Sequence, residues 1–133
     1  MPFVLDASIA ASWFFPDEDF PESRIAWDRS ATDEALVPQH WWFEVRNSIL
    51  NGERRNRLTQ DMVSVTLEKI AVLPFTIMPR PADVAVFIIA RQRRLTFYDA
   101  VYLELAKRQS VPLATLDLAL AAAARAEGVS IIE

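Results

Sequence analysis

Four carboxylates stand out by where they fall. Asp6 follows the apolar run Phe3-Val4-Leu5, and Asp117 ends the run Pro112-Leu113-Ala114-Thr115-Leu116. Glu44 lies in the first turns of a helical pattern from about Gln39 to Arg55, and Asp99 in the first turn of a helix that Thr96 is placed to cap. Each acid alone has an ordinary role, because a carboxylate at a helix start satisfies free amides and suits the positive end of the dipole. As a set they ask for more. Strand ends and helix starts of a parallel α/β sheet gather on one edge, which is where such folds bind ligands. Carboxylates gathered there repel one another, and partial burial raises their pKa values unless a cation compensates. A hard divalent cation with oxygen ligands suits this donor set.

The elements that must position these acids are readable in chain order. Strands are expected at Phe3-Val4-Leu5, Ala35-Leu36-Val37, Phe75-Thr76-Ile77-Met78, Pro112 to Leu116 and Val129-Ser130-Ile131-Ile132. Between them, helical patterns cover Ile9 to about Phe15, with Ser8 as a cap, then Glu22 to Ser30 and Gln39 to Arg55. The later ones cover Gln60 to Ala71 after a Thr59 cap, Ala82 to Gln92, the stretch beginning at Thr96, and Leu118 to Glu127 with Gly128 as its stop. Asn51-Gly52 is a point where the third helix is expected to fray or end early, since an interior glycine costs about 1 kcal/mol relative to alanine. Asp99, Tyr102, Leu103 and Ala106 share one helical face, so Asp99 is expected on the core-facing side. Glu44, Asn47, Ser48 and Asn51 form a polar face on the third helix. Alternating strands and helices predict a three-layer α/β/α domain with a mostly parallel central sheet, spanning residues 1–133 as a single unit.

Composition narrows the chemistry further. With no cysteine and one histidine, His40, neither a thiolate site nor a multi-histidine zinc site can form. A net charge of -4 argues against adhesion to nucleic acid through a broadly basic surface. It leaves room for a nucleic-acid substrate, because acids that bind divalent cations lower the formal charge while building a site that attracts phosphate. Apolar runs such as Val84 to Ala90 are far short of a membrane span, and the N-terminus has no basic region or cleavage signal, so a cytoplasmic protein is expected. Only Gly52 and Gly128 are present, which rules out a G-x-G-x-x-G nucleotide loop. A phosphoryl-transfer receiver or phosphatase would want an acid after the third strand, where Met78 is followed by Pro79.

Four segments carry a resemblance. Val4-Leu5-Asp6-Ala7-Ser8, Glu44-Val45-x-Asn47-x-x-Leu50, Tyr98-Asp99-Ala100-x-Tyr102-Leu103-x-Leu105-Ala106 and Pro112-Leu113-Ala114-Thr115-x-Asp117, in this order, resemble the PIN domain and specifically the VapC-like toxins. The resemblance covers essentially the whole chain, and its last two segments are the most specific. It implies a metal-dependent ribonuclease in which Asp6, Glu44, Asp99 and Asp117 match the acidic quartet. It also implies a homodimer neutralised by a small VapB-like antitoxin. The quartet would then hold one or two Mg²⁺ or Mn²⁺ ions for hydrolysis of RNA phosphodiesters. Ser8, Asn47 and Thr115 match neighbouring polar positions, and orient carboxylates or metal-bound water in that reading. Caps and turn hydrogen bonds are the plainer roles for Ser8 and Thr115. The rival within the family is a PIN fold kept as a non-catalytic binding or regulatory module.

Other features carry less. His40 reads as a helix-start residue. Trp13-Phe14-Phe15 and Trp41-Trp42-Phe43 read as core, with an excess that predicts an interface for an antitoxin helix or a second subunit. Arg91, Arg93 and Arg94 read as a solvated helix end, with contact to substrate phosphate as the alternative.

Overall fold

The computed structural model describes residues 1–133. Its sheet has four strands, β1 (Phe3–Leu5), β2 (Ala35–Val37), β3 (Phe75–Ile77) and β4 (Leu113–Ala114). They are ordered β3-β2-β1-β4 and every pairing is parallel. The chain moves outward from β1 through β2 to β3 and then crosses back to place β4 on the other flank of β1. The reversal between β1 and β4 is the point at which open parallel sheets form a crevice beyond their carboxyl ends. Asp6 and Asp117 follow those two strands.

Seven helices flank the sheet: α1 (Ala7–Ser12), α2 (Pro21–Ser30), α3 (Trp41–Arg54), α4 (Gln60–Ala71), α5 (Asp83–Arg93), α6 (Phe97–Gln109) and α7 (Leu118–Ala126). One group packs α1 on α2 and α3, and α3 on α4; the other packs α6 on α5, α7, β1 and β4. A continuous apolar core of 33 buried residues runs between them from Phe3 to Ile132. No helix is long and apolar enough to cross a membrane.

Two expected strands change. Pro112 to Leu116 shrinks to Leu113–Ala114, because its partner β1 ends at Leu5 opposite Ala114 and the chain then turns, the Asp117 amide donating back to the Thr115 hydroxyl. The last expected strand, Val129 to Ile132, forms only an isolated parallel bridge between Leu113 and Ile131. A two-residue partner is too short to template it. The mostly parallel sheet expected from the sequence is borne out, with all three strand pairings parallel.

Two helix boundaries also move. The first helix starts at Ala7 with Asp6 at the capping position and ends at Ser12, so Trp13, Phe14 and Phe15 leave the helix. Ser8 is therefore not a cap. The third helix does not stop at Asn51-Gly52 but runs to Arg54 and is closed by Asn56 in the left-handed region at φ 59°. Gly52 stays because the Phe15 ring occupies the space of a β-carbon: one placed there would lie 2.4 Å from its Cε1. Thr59, Thr96 and Asp117 cap α4, α6 and α7 as expected, each accepting from the amide three residues on.

Candidate active site

Strand β1 delivers Asp6 into a buried position, where its Oδ2 accepts from two hydroxyls, Ser8 Oγ at 2.6 Å and Thr115 Oγ1 at 2.7 Å. Both hydroxyls are themselves locked. Ser8 Oγ accepts from the Leu116 amide at 3.0 Å, and Thr115 Oγ1 accepts from the Asp117 amide at 3.0 Å. The ends of β1 and β4 are thus tied together through Asp6. Asp117 is exposed, and its Oδ1 is held by the Leu120 amide at 2.9 Å, so the start of α7 fixes its direction.

Two helices bring the remaining acids. On α3, Glu44 Oε1 accepts from the Tyr102 hydroxyl at 2.7 Å. On α6, residues Ala100 to Ala106 are all buried, which draws Asp99, just before them, to the rim of the core. Within that buried run Glu104 is neutralised by Arg108 one turn on, Nε to Oε1 at 2.9 Å. The four acids then line one pocket of about 270 Å³ together with Ala7, Ser8, Asn47 and Ser48. Such a volume holds a cation together with several waters, each about 30 Å³. No basic side chain lines it. No three of these groups converge tightly enough to hold one ion as they stand.

The electrostatics follow from that crowding. Burial pushes the Asp6 carboxyl above the ordinary range, against the pull of its two hydroxyl bonds, and Asp117 adds repulsion. Burial also raises Glu44, offset by the Tyr102 hydroxyl and reinforced by Asp6 and Asp99. Asp99 is pushed up to about 6, by burial first and then by Asp117 and Asp6. The Tyr102 phenol is raised by burial and by the neighbouring Asp6 and Glu44 charges, so it stays protonated and donates. Burial lowers His40, which keeps the imidazole neutral at pH 7. Its Nε2 sits 3.1 Å from the Tyr98 carbonyl and 3.2 Å from Glu44 Oε1, two acceptors that together require the proton on Nε2.

The Asp99 shift has a sign that can be tested. A carboxyl whose folded pKa exceeds its unfolded value contributes stability fully present below the unfolded value, 3.8, and lost as pH rises through about 6. In chelator, Asp99→Asn is expected to match wild type in urea denaturation at acidic pH and to become the more stable protein above that window. A difference between the two that does not change with pH would contradict this.

Of the residues singled out in the sequence, Asp6, Ser8, Glu44, Asn47, Asp99 and Asp117 line the pocket, and Thr115 lies buried beneath, bonded to Asp6. Asn47 is exposed and makes no side-chain hydrogen bond. Tyr102 and His40 are the partners of Glu44 that sequence reasoning missed. The signal for Tyr102 was its place on the Asp99 face, since a phenol turned into a core needs an acceptor. Arg93 is bound to Glu127 and Arg91 lies over Phe87, so neither has its side chain at the pocket.

A PIN domain family model matches residues 3–126. Among solved structures, PAE2754 from Pyrobaculum aerophilum superposes with a TM-score of 0.74 at 22% identity, covering 99% of this chain and 92% of that one. Mycobacterium tuberculosis VapC20, described as a sarcin-ricin loop cleaving toxin, superposes with a TM-score of 0.59 at 14% identity, covering 91% and 94%. At these identities the likeness is one of fold. No curated protein sequence matches the chain.

Proposed function

Because the chain belongs to the PIN domain family, we propose that it is a metal-dependent endoribonuclease of the VapC type, the toxin of a toxin-antitoxin pair acting in the cytoplasm. One observation carries the reading: acids from four separate elements line a single pocket that contains no basic group, and three of them are held toward protonation. That is a donor set in deficit of positive charge. Oxygen donors alone suit Mg²⁺ or Mn²⁺, and Asp6, Glu44, Asp99 and Asp117 are the residues that would hold them. When bound, such ions supply Lewis acidity, lowering the pKa of an attacking water and offsetting charge on the phosphate.

The chain's own groups do the positioning. Ser8 and Thr115 fix Asp6 through the same oxygen, and α7 fixes Asp117. Tyr102 donates to Glu44 without losing its proton, which keeps that carboxylate turned toward the pocket. His40 lies outside the acidic pocket and its Nε2 is committed to the Tyr98 carbonyl and Glu44, so its role is to hold Glu44 in place. An RNA substrate and a VapB-like antitoxin are what the resemblance of the four sequence segments to VapC-like toxins implies. Exposed Val84, Phe87 and Ile88 on α5, with Phe97 against Phe87, support a homodimer or an antitoxin contact across this face.

One observation favours the rival, a PIN-fold module that binds without cleaving: the acids do not converge on a common point as they stand. Calorimetric titration with Mn²⁺ separates the two. Saturable binding that is lost in Asp99→Asn supports the nuclease, and the absence of heat in both proteins supports the module.

A further inference from the structure

The acidic pocket does not end at Asp117. It opens into a groove of about 490 Å³ that shares Ser8, Ser48 and Asp117 with it and continues along α1 and α3. One wall is a stripe on α3. Glu44, Ser48, Asn51 and Arg55 follow one another at spacings of four, three and four residues, which keeps them on a single helical face. At 1.5 Å per residue this stripe is about 16 Å long. It begins with an acid and ends with a cation. Phe20, an aromatic residue 39% exposed, also lines the groove.

The arginines closing α3 differ in what holds them. Arg57 is committed: it pairs with Asp17 at 2.9 Å and Glu18 at 2.7 Å and lies over the Phe15 ring. Arg55 is exposed, lines the groove, and has no carboxylate within ion-pairing distance. Arg54 is also exposed and unpaired, but it lies outside the groove. A groove lined by Asp117, Ser48, Asn51, the Arg57–Glu18 pair, an unpaired guanidinium and an aromatic ring has the components of a single-strand channel. Exposed and unpaired, the guanidinium is free to form charge-assisted hydrogen bonds with a backbone phosphate.

We infer that this groove carries the RNA strand away from the cleavage site, with Arg55 holding a backbone phosphate a few nucleotides from the scissile bond and Phe20 stacking a base. The inference rests on the ribonuclease reading and adds the direction of the strand and the residues that grip it. Arg55 and Phe20 are positioning residues here, distant from the reacting atoms.

The test is fluorescence anisotropy with a short fluorescein-labelled single-stranded RNA in chelator, over a range of salt, for wild type, Arg55→Ala and Arg54→Ala. Metal-dependent cleavage is assayed in parallel. Arg55→Ala is expected to weaken binding about five- to tenfold, and to reduce the salt slope by about 0.7, the contribution of one phosphate contact on a single strand. Its KM for cleavage rises while kcat is held. Arg54→Ala changes neither by more than about the twofold expected for an exposed, unengaged side chain. Wild-type cleavage with equal binding by the two variants overturns the groove and leaves the nuclease standing. A wild type that neither binds nor cleaves RNA overturns both.

Discussion

Asp6→Asn is expected to remove RNA cleavage while leaving the metal-free fold as stable as wild type or more so. The side chain is buried, and its Oδ2 receives both Ser8 and Thr115. An amide oxygen in the same place accepts both hydroxyls, so these two bonds survive the change. What disappears is charge. Burial and Asp117 already work against the ionised carboxyl, so at neutral pH the charge is a cost carried by the metal-free fold. In chelator the variant's Tm should equal wild type or exceed it by a few degrees. Cleavage should fall by more than the 10–100-fold typical when a residue that only orients a metal ligand is lost. Stability and activity moving in opposite directions is the signature of a group kept for function. A purely structural Asp6 would give the reverse: a lower Tm, with cleavage by the folded fraction intact.

Gly52→Val is expected to be the most destabilising single change near the groove. A β-carbon at Gly52 would meet Phe15 Cε1 at 2.4 Å, Cζ at 2.6 Å and Leu58 Cδ1 at 3.4 Å. The ring cannot simply swing away. Phe15 is buried in the core, and the Arg57 guanidinium lies 4.2 Å from its centroid, anchored by Asp17 and Glu18. Overpacking of this kind costs about 1–3 kcal/mol, and the better helix propensity of valine returns only a few tenths. A Tm lowered by about 10 °C is expected for a chain of this size. A Tm equal to wild type would mean that the ring has room the packing does not show. Phe15→Leu combined with Gly52→Ala should recover part of the loss, because it removes the clashing ring edge.

The sheet was legible because its strands are short apolar runs that each stop at a polar residue or proline, and the acids could be placed for the same reason. Asp6 after Leu5 and Asp117 before Leu118 are positions at which a parallel strand ends and a helix begins. Glu44 and Asp99 were legible from helical phase. Errors arose where distant packing decides. Nothing local to Asn51-Gly52 reveals that Phe15 needs the space, so the glycine reads as a point where a helix running to about Arg55 frays or ends early. Trp42 and Phe43 read as core with Trp41, yet both are exposed and only Trp41 is buried, since three successive residues cannot share a helical face. Val129 to Ile132 has strand composition, but a two-residue β4 offers no ladder to join. The partners of Glu44 were hidden for a related reason: Tyr102 lies 58 residues away, and its hydroxyl bond exists only in the folded chain. Arg55 has the sequence position of an ordinary end-of-helix cation, and only the folded chain separates it from the paired Arg57.

The most direct measurement is cleavage of a mixed pool of structured RNAs by the purified protein with Mg²⁺, with Mn²⁺ and with chelator, beside Asp99→Asn. Discrete cleavage is expected from wild type with either metal, none in chelator, and none from the variant under any condition. Cleavage that persists in chelator or in Asp99→Asn would contradict that expectation, as would a wild type that binds neither metal nor RNA.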